Sequence, residues 1–214
     1  MTFRIGVISA VILAGVMLTC ARMAQAQPVL TLTDSQPQYN LTPYLDILED
    51  PGKQLTITDV TAPAFTRHFV RHHGQTLGYG LSNGGYWLRF RLQQQSRRLG
   101  GQAPYSLRQI MILDLNTPWI SAFALYPPTS SQSNKNVAHR LITAQRAVNS
   151  AATFGRTFIA ELPPHFQQSE PFYLYLECLG PLNMPIYLWS ASAFQRHNIA
   201  DFFGFGIFYG FLRY

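Results

Sequence analysis

The chain has 214 residues, of which 12% are charged and 14% aromatic, with a formal net charge of +6. That length accommodates one domain of ordinary size plus terminal segments. The charge is spread without a Lys/Arg stripe, which argues against a nucleic-acid binder, and the aromatic-rich, charge-poor balance favours β structure over solvated helices.

At the N-terminus a single cation, Arg4, precedes an uncharged apolar run from Ile5 to Leu18, and the small-residue segment Ala24-Gln25-Ala26 leads into Gln27. This is the pattern of a secretory signal peptide cut after Ala26. Cys20 raises the alternative of a lipid-attachment signal, but Thr19 stands where such a signal wants a smaller residue. With the leader removed, Cys178 is the one remaining cysteine and cannot form an internal disulfide. It alternates with Leu174 and Leu176, so it reads as a small buried hydrophobe.

Along the chain, Val29 to Leu32 predicts a short strand, and Leu41 to Leu48 a brief helix or an extended segment closed by the Asp50-Pro51-Gly52 turn. Leu55 to Val60 predicts a strand. Ala64 to His72, with Phe65 and Phe69 four apart and Gly74 at its end, predicts a short helix. The turn formers Ser82-Asn83-Gly84-Gly85 then introduce the most regular strand of the sequence, Tyr86 to Leu92, reading YWLRFRL. Tyr86, Leu88, Phe90 and Leu92 fall on one face and predict core; Trp87, Arg89 and Arg91 fall on the other and are expected to look outward. Further strands are predicted at Leu107 to Leu115, Trp119 to Tyr126, Phe158 to Leu162, Phe172 to Cys178 and Pro185 to Trp189. The stretches Gln93 to Pro104 and Thr129 to Val137 read as polar loops. Seven or eight short strands with little helix point to an antiparallel β-sandwich, an all-β fold. From Ile199 to Tyr214 the chain turns almost wholly apolar and aromatic; as a helix it would reach about 24 Å, short of the roughly 30 Å hydrocarbon core, and it reads as the start of a membrane helix cut short. The expected domains are thus a signal peptide at 1–26, an extracytoplasmic sandwich at 27–198 and the beginning of a transmembrane helix at 199–214.

Four stretches carry a family resemblance: LTITDV at Leu55 to Val60, LGYGLSNGGYWLRFRL at Leu77 to Leu92, FYLYLECLGPLNMPIYLWSASAF at Phe172 to Phe194, and GFGIFYGFL at Gly204 to Leu212. In order and spacing they resemble the type 2 extracellular domain of the 7TMR-DISM receptors, bacterial receptors with seven transmembrane helices and diverse intracellular signalling modules. The resemblance implies a jelly-roll sandwich similar to carbohydrate-binding modules, held in the periplasm at the inner membrane. It also implies a following seven-helix unit with a cytoplasmic output domain. Tyr175 stands where the family often has an arginine.

Sugar recognition needs a flat ring to stack on the apolar face of a pyranose, with polar groups for its hydroxyls. Trp87, Arg89, Arg91 and Asn83 offer that set, with Tyr175 and then Tyr173 as further platform residues. The alternative for Arg89 is that it stacks on a neighbouring aromatic and has no ligand. Trp119 and Trp189 read as core or rim. His68, His72 and His73 read as surface histidines, since no third ligand at metal spacing accompanies them. The acidic residues are scattered, and no GxSxG elbow, phosphate loop or paired-cysteine motif is present, so no catalytic residue, metal or cofactor is expected. The expected partners are a small-molecule ligand, possible carbohydrate in class, and the membrane; the competing expectation is an interaction domain that forms a homodimer through the Trp87 face without a small ligand.

Overall fold

The computed structural model describes residues 27–33, 35–81, 83–95, 110–115, 119–128, 142–143, 153–154, 157–163, 166, 168 and 170–200. The expected signal peptide, most of the expected membrane helix and the 129–137 loop lie outside them. Among the described residues no helix is long and apolar enough to cross a membrane.

Among the described residues twelve strands form two sheets. The larger has the order β4 (Val70–Arg71), β3 (Asp46–Asp50), β5 (Gly85–Gln94), β11 (Phe172–Cys178), β7 (Ile120–Tyr126), β8 (Ile142–Thr143), and β1 (Val29–Leu32) adds to β5 as a parallel neighbour. The smaller has the order β2 (Gln38–Asn40), β12 (Tyr187–Ser190), β6 (Met111–Asp114), β10 (Thr157–Glu161), β9 (Thr153–Phe154). Every pairing except that of β1 is antiparallel. The antiparallel sandwich expected from the turn-punctuated strands is what the chain forms, with more and shorter strands than the sequence pattern separates.

Period-2 alternation builds the core. Tyr86, Leu88, Phe90 and Leu92 of β5 join Phe172, Leu174, Leu176 and Cys178 of β11 and meet Tyr39, Met111, Leu113 and Leu188 of the smaller sheet in one apolar cluster. Phe90 and Phe172 face each other across the β5–β11 ladder with ring centroids 5.2 Å apart and planes 5° from parallel, a stacked cross-strand pair of the kind that strengthens a sheet. Each sheet also has an outer face that is partly covered. On the smaller sheet the cover is α3, the helical residues 191–200, whose Ala193 and Phe194 pack on Ile112 and Trp189. Ser190 starts that helix by accepting the Ala193 N–H on Oγ.

Two local expectations are corrected. Leu55 to Val60 is not a strand: α1 (Ile57–Thr61) forms because Thr56 and Asp59 close a capping box, Thr56 Oγ1 accepting the Asp59 N–H and the Asp59 carboxylate accepting the Thr56 N–H at 2.8 Å. The Thr56 hydroxyl, donating to Asp59 Oδ2 at 2.6 Å, and then the Thr56 N–H hold the Asp59 carboxyl below its usual pKa. The helix expected over Ala64 to His72 is a single turn, α2 (Pro63–Thr66). The chain beyond it is drawn into the larger sheet, where Arg71 lies opposite Asp46 and the His72 N–H donates to the Leu45 carbonyl. His68 and His72 therefore do not share a helical face.

Cys178 is buried and reduced, as its alternation with leucines indicates. Burial pushes its thiol from 9.0 up to about 11. A folded-state pKa above the unfolded one gives stability that is complete below about pH 9 and is lost as pH rises toward 11. Across that window the difference in unfolding free energy between the protein and Cys178→Ala is expected to change by about 1.4 kcal/mol per pH unit, measured by urea denaturation from pH 8 to 11.5.

Candidate functional site

The ladders of the larger sheet set its outer face in rows. Asp46, Arg89, Tyr173 and Tyr126 form one row across β3, β5, β11 and β7; Leu48, Trp87, Tyr175 and Ala124 form the next; Asp50, Gly85, Glu177 and Ala122 form the third. Trp87, Arg89 and Tyr175, three of the residues expected at a ligand site, are therefore side by side. The expectation that Trp87 faces solvent is corrected. Its indole is only 2% exposed, because residues 55–69 fold across this face and pack Leu55, Ile57, Val60 and Phe69 on it.

Under this cap Trp87 lies among aromatic rings, with centroids 4.9 Å from Tyr175 and 5.6 Å from Tyr126. Phe69 meets Tyr173 edge-on at 6.1 Å, and the Arg89 guanidinium carbon sits 4.4 Å above the Phe69 ring centroid. The stacking alternative for Arg89 is thus realised, by a residue contributed from the cap. Tyr175 donates its hydroxyl to Glu177 Oε1 at 3.0 Å, and burial first, then that bond, raises the phenol above its ordinary value. Gly85 is needed beside it: a Cβ there would come within 2.6 Å of the Tyr175 hydroxyl oxygen.

The electrostatic centre is Asp46. Its carboxylate is 3% exposed and accepts from Arg71 Nε on one oxygen and from Arg89 Nη2, at 2.9 Å, on the other. The three residues belong to β3, β4 and β5, so the pairs join three strands. Sequence reasoning missed Asp46, Arg71 and Phe69; the available signal for the first was a lone acid between Leu45 and Ile47 in an apolar segment. Nearby, Asp50 accepts the backbone N–H groups of Gln54 and Leu55, and Lys53 reaches Glu177 at 2.9 Å. These bonds fasten the entrance to the cap.

The other expected residues stand apart. Arg91 donates from Nε to Gln27 Oε1 at 3.0 Å, and Gln27 in turn donates to the Arg89 carbonyl, so the segment before β1 straps the outer side of β5. Asn83 is exposed in the turn that precedes Gly85. At that end of the sandwich Leu81, Trp119 and Leu179 are 87%, 56% and 69% exposed. The Leu179 N–H donates to the Trp119 carbonyl, and Leu81 bridges to Pro181, so the three belong to one rim. A separate open depression of about 310 Å³ lies between β1 and β2, lined by Leu30, Gln36, Tyr39 and Tyr44 among others. The Tyr39 hydroxyl there is already engaged with Thr33.

The chain is thus a two-sheet β-sandwich with a capped aromatic and ionic face that runs directly into a helix after β12. A scan against family models matches residues 42–190 to 7TMR-DISM extracellular 2, and the chain belongs to that family. It is thus an extracellular domain of a membrane-receptor family, and the match ends on Ser190, the residue that caps α3. A search of curated proteins finds no match.

Removing one member of a buried ionic cluster strands the others in low dielectric. Asp46→Ala is expected to lower the unfolding free energy by about 3–5 kcal/mol, whereas Lys53→Ala, at a half-exposed pair, changes it by less than about 1 kcal/mol. Urea denaturation of the two variants side by side checks the contrast.

Proposed function

We propose that this chain is the extracytoplasmic ligand-sensing domain of a membrane signalling receptor, exported by its N-terminal leader into the periplasm and held at the inner membrane by the segment that follows α3. Its ligand is a carbohydrate or a related small molecule. The observation that carries this reading is membership of a receptor extracellular family combined with Trp87, Arg89 and Tyr175 gathered on one sheet face. Two flat rings beside a fixed cation match the needs of a hydroxylated, partly apolar ligand.

The site binds and does not catalyse. Glycan hydrolysis needs two carboxylates left available across a cleft. On this face Asp46 is committed to two arginines, Asp50 to two backbone N–H groups, and Glu177 to Lys53 and Tyr175. Signal transfer runs through α3. Trp189 is the next-to-last residue of β12 and its ring stacks on His197 of α3, centroids 4.8 Å apart, so a shift of the smaller sheet carries the helix with it. Such a shift signals only if the ligand favours one of two arrangements.

The exposed rim of Leu81, Trp119 and Leu179 favours a second reading, an interaction domain that pairs with another protein through that end. The two readings part experimentally. A calorimetric and glycan-array screen of the purified protein is expected to find at least one saccharide whose binding is unaffected by Trp119→Ser. Failure of every saccharide, together with concentration-dependent dimerisation that Trp119→Ser abolishes, would establish the interaction reading instead.

A further inference from the structure

Beneath the cap two buried donors, Trp87 Nε1 and Arg89 Nε, have no hydrogen-bond partner among the described residues. Leaving a buried donor without an acceptor costs on the order of 1–3 kcal/mol, and more for a charged group. Both belong to the same face of β5, two residues apart, so their Cα atoms are roughly 7 Å from one another. The charge balance of the site has the same sign. Asp46 is one carboxylate held between two guanidiniums, which leaves the Arg71–Asp46–Arg89 group with one positive charge in excess at a place where the Arg89 side chain is only 13% exposed. The neighbouring acids, Asp50 and Glu177, are spent on other partners.

The cap over these donors is built to separate from the sheet. Its helices have five and four residues, too short to persist without packing, and their hold on the sheet is the apolar contact of Leu55, Ile57, Val60 and Phe69, the stacking of Phe69 on Arg89 and, at the entrance, the Leu55 N–H bond to Asp50. The capping box closes within the cap, from Thr56 to Asp59, and adds no tie to the strands beneath. Opening therefore exposes the donors without breaking a strand ladder.

We infer that residues 55–69 are a lid and that the face under it binds a carboxylate-bearing small molecule, whose oxygens accept from Trp87 Nε1 and Arg89 Nε. This deepens the sensor reading and rests on it. The carboxylate supplies the missing negative charge, while Tyr173 and Tyr175 give the rest of the ligand flat surfaces to lie against. A closed lid competes with the ligand, so the fraction of open protein scales the apparent affinity.

The test is calorimetric titration of the full chain with sugars paired to their uronic acids: D-glucose with D-glucuronate, and D-galactose with D-galacturonate. Within a pair the ring is kept and a hydroxymethyl group becomes a carboxylate. At least one acid is expected to bind ten or more times tighter than its neutral partner. Trp87→Phe, which removes the Nε1 donor together with part of the ring volume, is expected to weaken that acid about tenfold or more while changing the affinity of its neutral partner by less than about twofold; Arg89→Lys, which keeps the charge and removes Nε, is expected to do the same to affinity. Thr56→Ala, which loosens the lid, is expected to tighten binding about fivefold. A neutral sugar that binds as well as its acid, or an acid indifferent to Trp87→Phe and Arg89→Lys, overturns the inference and leaves the sensor reading in place. No binding by any of the four, nor by the wider saccharide screen, overturns both.

Discussion

One carboxylate organises the outer face of the larger sheet. Asp46 sits at the edge-side of β5 with its two oxygens divided between Arg71 and Arg89, and so it fastens β4 to β3 and β3 to β5 at the same point. Burial of three charges carries a desolvation cost of several kcal/mol per ion, which the sheet recovers only because the geometry is held from both sides. The backbone holds it through the ladders, and Phe69 holds it by lying against the Arg89 guanidinium. A hydrophobic substitute would stabilise the sheet as well or better, so the ionic cluster contributes little net stability to the fold.

The rest of the sandwich follows from that division of labour. The inter-sheet core is ordinary in composition, leucines and phenylalanines interlocked between two pleated faces, and it makes the strands a rigid frame. Each outer face then bears a smaller, separate apolar cluster, one under α1 and Phe69 and one under α3. The first lies over Trp87 and Tyr175 of the larger sheet and the second where β12 runs into α3. A frame with a cover on each side has two elements able to change packing while the strands between them stay paired, which is the physical requirement for passing a binding event to a helix.

Strand-level features were legible in the sequence because they depend on neighbours in the chain. The alternation of Tyr86 to Leu92 read directly as one core face and one aromatic, cationic face, and Phe172 to Cys178 is a strand over the same residues. Cys178 declared itself through its leucine partners. Residues 55 to 61 were misread because Ile57 and Val60 have strand-like side chains, and the local capping box outweighs that preference. The burial of Trp87 was not legible at all, since its cover arrives from residues 55–69, and nothing in the alternation of β5 records which segment lies on top of it. Arg89 followed the same logic: its placement on the outer face was readable, its partner Phe69 was not. Family membership, carried by turn and strand motifs spread over the chain, was readable and spans residues 42–190.

Native-state hydrogen exchange followed residue by residue tests most directly whether the cap is a unit separate from the frame. If it is, the amides of Val60 and Ala62, bonded within the cap to Thr56 and Asp59, exchange through an opening that costs far less than global unfolding and depends less steeply on denaturant, while those of Leu88 and Leu174 exchange only when the whole domain unfolds. Exchange of all four at the single free energy of global unfolding would contradict it.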